Sequence, residues 1–313
     1  MNTTAPAAQN QPRTRLPLAV IVVSLLVLGG LLFFAVDKLL VDLGGAGGTV
    51  GADGLHTAAA AGDVEAIQAA AARGENLNAS NFNDPEGEDR SPLMVAIASN
   101  QLEAAKALIE AGADTETRSR DGKTALMLAA GWSTTAMVEL LLEQDARIDA
   151  RSELGWTALM LAASRGQSES VRALLAAGAD VSNRNKWDQT ALISASLAAD
   201  LDCITAMLNA GAEANATDNF GVTPLIAATE RAKDPEVLRA LIEAGADVNA
   251  AEDSGVTALM RSADRASMEL VQALVDAGAD VNAADDGGRT AADWAAGRDD
   301  EAGQTVAEFL RGI

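Results

Sequence analysis

The chain has 313 residues, 49% of them apolar and only 3% aromatic, and carries 45 acids against 23 bases for a formal net charge of −22. So acidic a chain lacks the clustered Lys and Arg that binding to nucleic acid or anionic lipid requires. One histidine and one cysteine are too few for a zinc site or a nucleophile–base pair.

Residues 1–15 form a short polar tail whose charges are Arg13 and Arg15. Residues 16–36 follow without a charge, and about 31 Å of helix from that length would span a bilayer's hydrocarbon core. One N-terminal transmembrane helix is therefore expected. A cleaved signal peptide is the rival reading, but its apolar region is shorter and ends in small residues, whereas Phe33-Phe34-Ala35 makes a poor cleavage site. The two arginines put the N-terminus in the cytoplasm and everything after the span outside; a domain facing the cytosol is the alternative. Residues 37–52 are a Gly-rich tether.

From residue 53 onwards the chain is periodic. Thr124, Thr157, Thr190 and Thr223 each open Thr-Ala/Pro-Leu at a spacing of 33, with Ser91-Pro92-Leu93 before them and Thr257-Ala258-Leu259 and Thr290-Ala291 after them. A fixed period of this length marks stacked small units. In each, Thr is a natural helix N-cap. An amphipathic second helix such as Met137–Leu142 follows, and most copies close on Gly-Ala-Asp, as at Gly112, Gly178, Gly245 and Gly278. Glycine suits the left-handed residue that ends a helix. A turn such as Asp218-Asn219-Phe220-Gly221 leads into the next Thr.

These recurring phrases resemble the ankyrin-repeat family over about 260 of the 313 residues. The resemblance implies an all-α solenoid over residues 53–313, about eight units of a β-turn and two antiparallel helices, the end units acting as caps. A first unit begins at Leu55-His56-Thr57, and an insertion at residues 81–89 separates it from the second. Asp145 and Asn100 stand where other units have glycine, and both tolerate left-handed geometry at modest cost. Met94, Met127, Met160, Ile193, Ile226 and Met260 stand where the family has histidine, so polar links between turns should give way to apolar packing. Only His56 keeps that residue, in a structural role.

No catalytic, cofactor or metal site emerges. Asp84, Glu86, Glu88 and Asp89 crowd the insertion, but Pro85 and an incomplete ligand loop favour a solvated acidic loop over a calcium site. Cys203 falls in a second helix and reads as a buried, inert thiol. Asn78-Ala79-Ser80 and Asn215-Ala216-Thr217 match glycosylation acceptors, but both fall on a recurring segment. Alanine excess and absent tyrosine point to a bacterial, GC-rich source, which makes the outer space a periplasm.

The resemblance also places partner contacts at turn tips and inner helices. Trp132, Trp156, Trp187 and Phe220 all fall there, in four successive units, joined by Leu154 and Val222 and flanked by Arg165 and Arg231. Large apolar groups at turn tips have the composition of an interface hot spot. Trp294 and Phe309 belong instead to the core of the last unit. The expected function is a non-catalytic, monomeric, membrane-tethered scaffold that binds a protein partner through this face. An inhibitor or regulatory subunit of an envelope enzyme is the alternative.

Overall fold

The computed structural model describes residues 54–80 and 88–313. The tail, the expected transmembrane helix, the tether and most of the insertion lie outside them. No described helix is long and apolar enough to cross a membrane.

Eight helix pairs follow one another among the described residues: α1 (Gly54–Ala61) and α2 (Val64–Ala72), α3 (Pro92–Ala98) and α4 (Leu102–Glu110), α5 (Ala125–Trp132) and α6 (Thr135–Glu143), α7 (Ala158–Ser164) and α8 (Ser168–Ala176). They continue with α9 (Ala191–Ala198) and α10 (Leu201–Asn209), α11 (Pro224–Thr229) and α12 (Glu236–Glu243), α13 (Ala258–Asp264) and α14 (Met268–Asp276), α15 (Ala291–Ala296) and α16 (Glu301–Arg311). Each odd helix packs on the odd helices before and after it, and the even helices do the same as far as α14. No strand forms among the described residues; single bridges at Ala251–Thr257 and Ala284–Thr290 close two turns.

The caps work as the sequence demands. The Thr124, Thr157, Thr190, Thr223 and Thr257 hydroxyls each accept the N–H three residues on, at 3.2–3.4 Å. Thr290 forms a capping box with Asp293. Inner helices are buried nearly all round because a neighbour covers each side: Ala125 to Gly131 of α5 are all buried. Outer helices bury one stripe, Met137, Val138 and Leu141 in α6. The core is therefore a continuous ribbon that no unit could form alone. Trp294 lies in it and Phe309 packs against it.

The histidine substitutions separate two effects. Met94, Met127 and Met160 are fully buried, as are Ile193, Ile226 and Met260 to within 2%. His56 is equally buried, but its Nε2 lies 3.1 Å from the Arg90 carbonyl, linking the first unit to the second unit's turn.

Asp145 and Asn100 adopt left-handed φ of +56° and +54°, as their positions require. Ala199 and Ala266, whose side chains carry no mark of it, do the same at +55° and +53° between their paired helices. Gly62 and Gly166 hold this place in other units. A Cβ there costs roughly 1–2 kcal/mol. Ala199→Gly and Ala266→Gly should each raise stability by about 0.5–1 kcal/mol, once glycine's greater unfolded-state freedom is subtracted. Urea unfolding measures the gain, and a loss in both variants would contradict the strain.

Candidate functional site

The turns joining one unit to the next form one edge of the solenoid, built on the residue five before each Thr. Asn185 Oδ1 accepts from the N–H of Trp187 (2.9 Å) and Gln189 (3.1 Å). Asp218 Oδ1 accepts from Phe220 (2.9 Å) and Val222 (3.0 Å). The N–H of residue 185 bonds the carbonyl of 189, and that of 218 the carbonyl of 222, so each tip is a closed loop.

The tips are also tied to one another. Glu153 N–H donates to Asp121 O, Lys186 to Leu154 O, Asn219 to Trp187 O and Asp253 to Phe220 O, at 2.9–3.0 Å. This approach is so close that a Cβ on Gly155 would lie 3.1 Å from Asn185 Cα, and Gly155 has φ +80°. Glycine is therefore required twice over there.

A third device is a row of guanidiniums. Arg118 Nη1 donates to Gly122 O (2.8 Å) and, across the unit boundary, to Arg151 O (2.7 Å). Arg151 Nη2 reaches Arg184 O. Arg184 Nη1 takes Asp188 O (3.1 Å) and Thr217 O (2.8 Å). Lost histidine links are thus replaced by polar links along this edge as well as by apolar packing inside. A matching set runs beneath the outer helices, where Asn215 Oδ1 accepts from Asp247 N–H (2.7 Å) and its Nδ2 donates to Gly245 O (2.8 Å). Asn78 Oδ1 likewise holds Asp114 N–H at 2.8 Å. Both glycosylation-like asparagines are therefore structural bridges.

Leu154, Trp187 and Phe220 occupy three consecutive rungs of the ladder between tips. Leu154 is exposed, and Trp187 and Phe220 are partly exposed. Trp132, Trp156 and Val222 are partly buried and pack against the core. The Trp132 ring has Lys123 Nζ over it at 4.9 Å and the Arg165 guanidinium at 4.6 Å, a cation–π pair that ties α5 to the start of the next unit's inter-helix turn. Arg231 is exposed in the longer 230–235 connection between α11 and α12, which absorbs the extra residue of that unit. The eight residues singled out by sequence thus divide into an outward row, a core-facing set and two arginines of different setting.

Lys123 is 6% exposed and meets Asp121 at 2.9 Å and Glu88 at 3.8 Å; Glu88 also binds Arg90 at 3.0 Å. Burial pushes the Asp121 carboxyl up, but hydrogen bonds from Ser119 and Lys123 outweigh it and hold the group below its ordinary range. Asp89 pairs with Arg120 at 3.1 Å. The described acids of the insertion are therefore ion-paired. Among the described residues, no group of three or more His, Cys, Asp or Glu is arranged to hold a metal ion. Cys203 is fully buried, and desolvation with the neighbouring Asp200 pushes its thiol far up. It is inert as a nucleophile.

Asp218 differs from Asn185 in one respect. Burial pushes its carboxyl up despite the Phe220 and Val222 hydrogen bonds, with the Asp253 charge adding to the rise. An acid with a raised folded pKa loses stability as pH climbs from its unfolded value through the folded one. Asp218→Asn keeps the acceptor and removes the charge. It should be more stable at neutral pH, on the order of 1 kcal/mol, with the advantage vanishing near pH 4. Thermal unfolding at the two pH values measures this, and a pH-independent difference would contradict it.

A family model described as "Ankyrin repeats (3 copies)" matches residues 25–119, 114–185, 178–252 and 231–311. The chain belongs to the ankyrin-repeat family. The crystal structure of the human ASB11 ankyrin repeat domain is similar, with a TM-score of 0.64 and 29% identity over 73% of this chain and 99% of that one. The search of curated proteins returned no match.

Reading the ankyrin repeats by period alone could have found the guanidinium row. Arg118, Arg151 and Arg184 stand 33 apart, six before successive Thr residues, and the series stops at Thr217. Its carbonyl partners follow only from the stacking of neighbouring units.

Proposed function

We propose that this chain is a non-catalytic docking protein that grips a protein partner along the turn-tip edge of units three to six. Ankyrin repeats in general are protein-interaction modules. The observation carrying the reading is the row Leu154, Trp187 and Phe220, three large apolar side chains on consecutive rungs outside the set packed on the core. Exposed apolar groups placed side by side are uncommon on a monomer and are typical of a hot spot. Trp132 and Trp156, packed on the core behind them, stiffen the platform, and a rigid platform binds at lower entropic cost.

The uncharged residues 16–36, preceded by Arg13 and Arg15, support an N-terminal membrane anchor with the repeats outside; the alanine excess and absent tyrosine support a bacterial source, which would make that space a periplasm. Tethering would confine the docking edge near the membrane and raise the partner's effective concentration there. The test compares partner capture by the full chain and by its Trp187→Ala variant. Undiminished capture by a folded variant would sink the reading.

A further inference from the structure

The turn edge has an electrical polarity that the total charge conceals. The turns at 118–123, 151–156 and 184–189 hold six cations (Arg118, Arg120, Lys123, Arg151, Arg184, Lys186) and three acids (Asp121, Glu153, Asp188). The turns at 217–222, 251–256 and 284–289 hold one cation, Arg289, and five acids. The chain as a whole has about two acids for every base; these three turns reverse that ratio and carry Leu154 and Trp187, although Arg120 and Lys123 are paired with Asp89, Glu88 and Asp121 at their acidic start.

The three arginines are held in place. Arg118 and Arg151 are exposed, and one terminal nitrogen of each is fixed on the backbone carbonyls already described. Bonding to a carbonyl leaves a guanidinium fully charged, and its remaining N–H groups keep the planar fork that matches a carboxylate. Arg184 is similarly fixed, with Glu213 Oε2 no nearer than 3.8 Å. Arg151 Nη2 lies 2.9 Å from the place a Cβ on Gly155 would occupy, immediately beside Leu154. Lys186 is exposed and makes its ordered contacts through its backbone, N–H to Leu154 O and carbonyl to Asn219 Nδ2.

Resting on the docking reading above, we propose that the occupant of this edge is an acidic segment of the partner that carries apolar side chains. Its apolar groups lie along Leu154, Trp187 and Phe220, and its carboxylates face the fixed Arg118–Arg151–Arg184 row and Lys186. The acidic turns beyond Phe220, at 251–256 and 284–289, repel the same segment and so set where it stops. Net charge alone points to a basic partner; the local arrangement points the other way.

The experiment titrates the full chain, in neutral detergent, against two fluorescein-labelled peptides of equal length, one alternating glutamate with phenylalanine and one lysine with phenylalanine. The glutamate peptide is expected to bind, to weaken as salt screens the charges, and to be discriminated from the lysine peptide. Lys186→Glu is expected to weaken it about tenfold with unchanged thermal unfolding, and Trp187→Ala to weaken it further. Stronger binding of the lysine peptide that Trp187→Ala abolishes would overturn the acidic partner while sparing the docking edge. Binding indifferent to both variants would overturn both readings, and binding of neither peptide would overturn the acidic partner. Self-association of the chain abolished by Lys186→Glu would also overturn it, assigning the cationic turns to the chain's own acidic ones.

Discussion

Asp285→Ala should destabilise the last repeat by about 3–4 kcal/mol, because one carboxylate there serves four donors. Its Oδ1 accepts from the N–H of Gly287 and Arg289, both at 2.9 Å. Its Oδ2 accepts from Arg289 Nε at 2.9 Å and from the buried Trp294 Nε1 at 3.1 Å. The Arg289 guanidinium in turn stacks over the Trp294 ring at 4.2 Å. Removal leaves an indole N–H buried without its acceptor, and that loss exceeds the worth of any single bond.

Burial pushes the Asp285 carboxyl up, but the backbone and side-chain hydrogen bonds from Arg289 outweigh it and lower its pKa. The stability this group contributes is therefore complete above its unfolded value, near 4, and is lost as pH falls through the lower folded value. Solenoid units are held by their neighbours, so the terminal repeat should open first. Hydrogen exchange should show α15 and α16 losing protection in the variant while α5 to α10 keep theirs. Asp285→Asn keeps the Oδ1 bonds to the Gly287 and Arg289 N–H groups but turns its amide NH2 toward the Trp294 and Arg289 donors, so it should recover only the part of the loss owed to those two backbone bonds. Uniform loss of protection along the chain would contradict this local account.

Trp187→Ala should cut partner affinity by at least about thirtyfold, the 2 kcal/mol that marks a hot spot. Stability should move by less than about 1 kcal/mol, because partly exposed side chains outside the core contribute little to it. Trp156→Ala is the instructive contrast. Trp156 packs against the core, so its truncation should lower stability measurably, and any loss of binding would then be ambiguous. Calorimetric binding and thermal unfolding on both variants separate the two roles. A large stability loss from Trp187→Ala with binding intact would assign that ring to the fold.

The architecture was legible because it is written in local chemistry that recurs. Thr at most inner-helix starts, glycine at most outer-helix ends and an apolar stripe between them specify a helix pair, and the 33-residue spacing repeats that specification. Departures were legible for the same reason. Asp145 and Asn100 were expected in left-handed geometry and adopt it; Cys203 was expected buried and is. Ala199 and Ala266 were not foreseen because alanine carries no marker of left-handed backbone; only the fixed relation of the helix pairs forces it there.

The site was legible in position and not in orientation. Counting from each Thr put Trp156 one residue before and Trp187 three before, and both positions read as free. The closed turn, shaped by N–H groups that donate to Asn185 and Asp218, puts position −3 on the ladder between tips, and the neighbouring units put position −1 against the core. Sequence alone determined the repeat, its caps, its apolar ribbon and which units carry aromatic rings, since each depends on chemistry within a few residues. Only the tertiary structure decided which rings face outward and where the guanidiniums lie, because the closed turns are completed by core packing and carbonyls from the neighbouring unit, which no single unit contains.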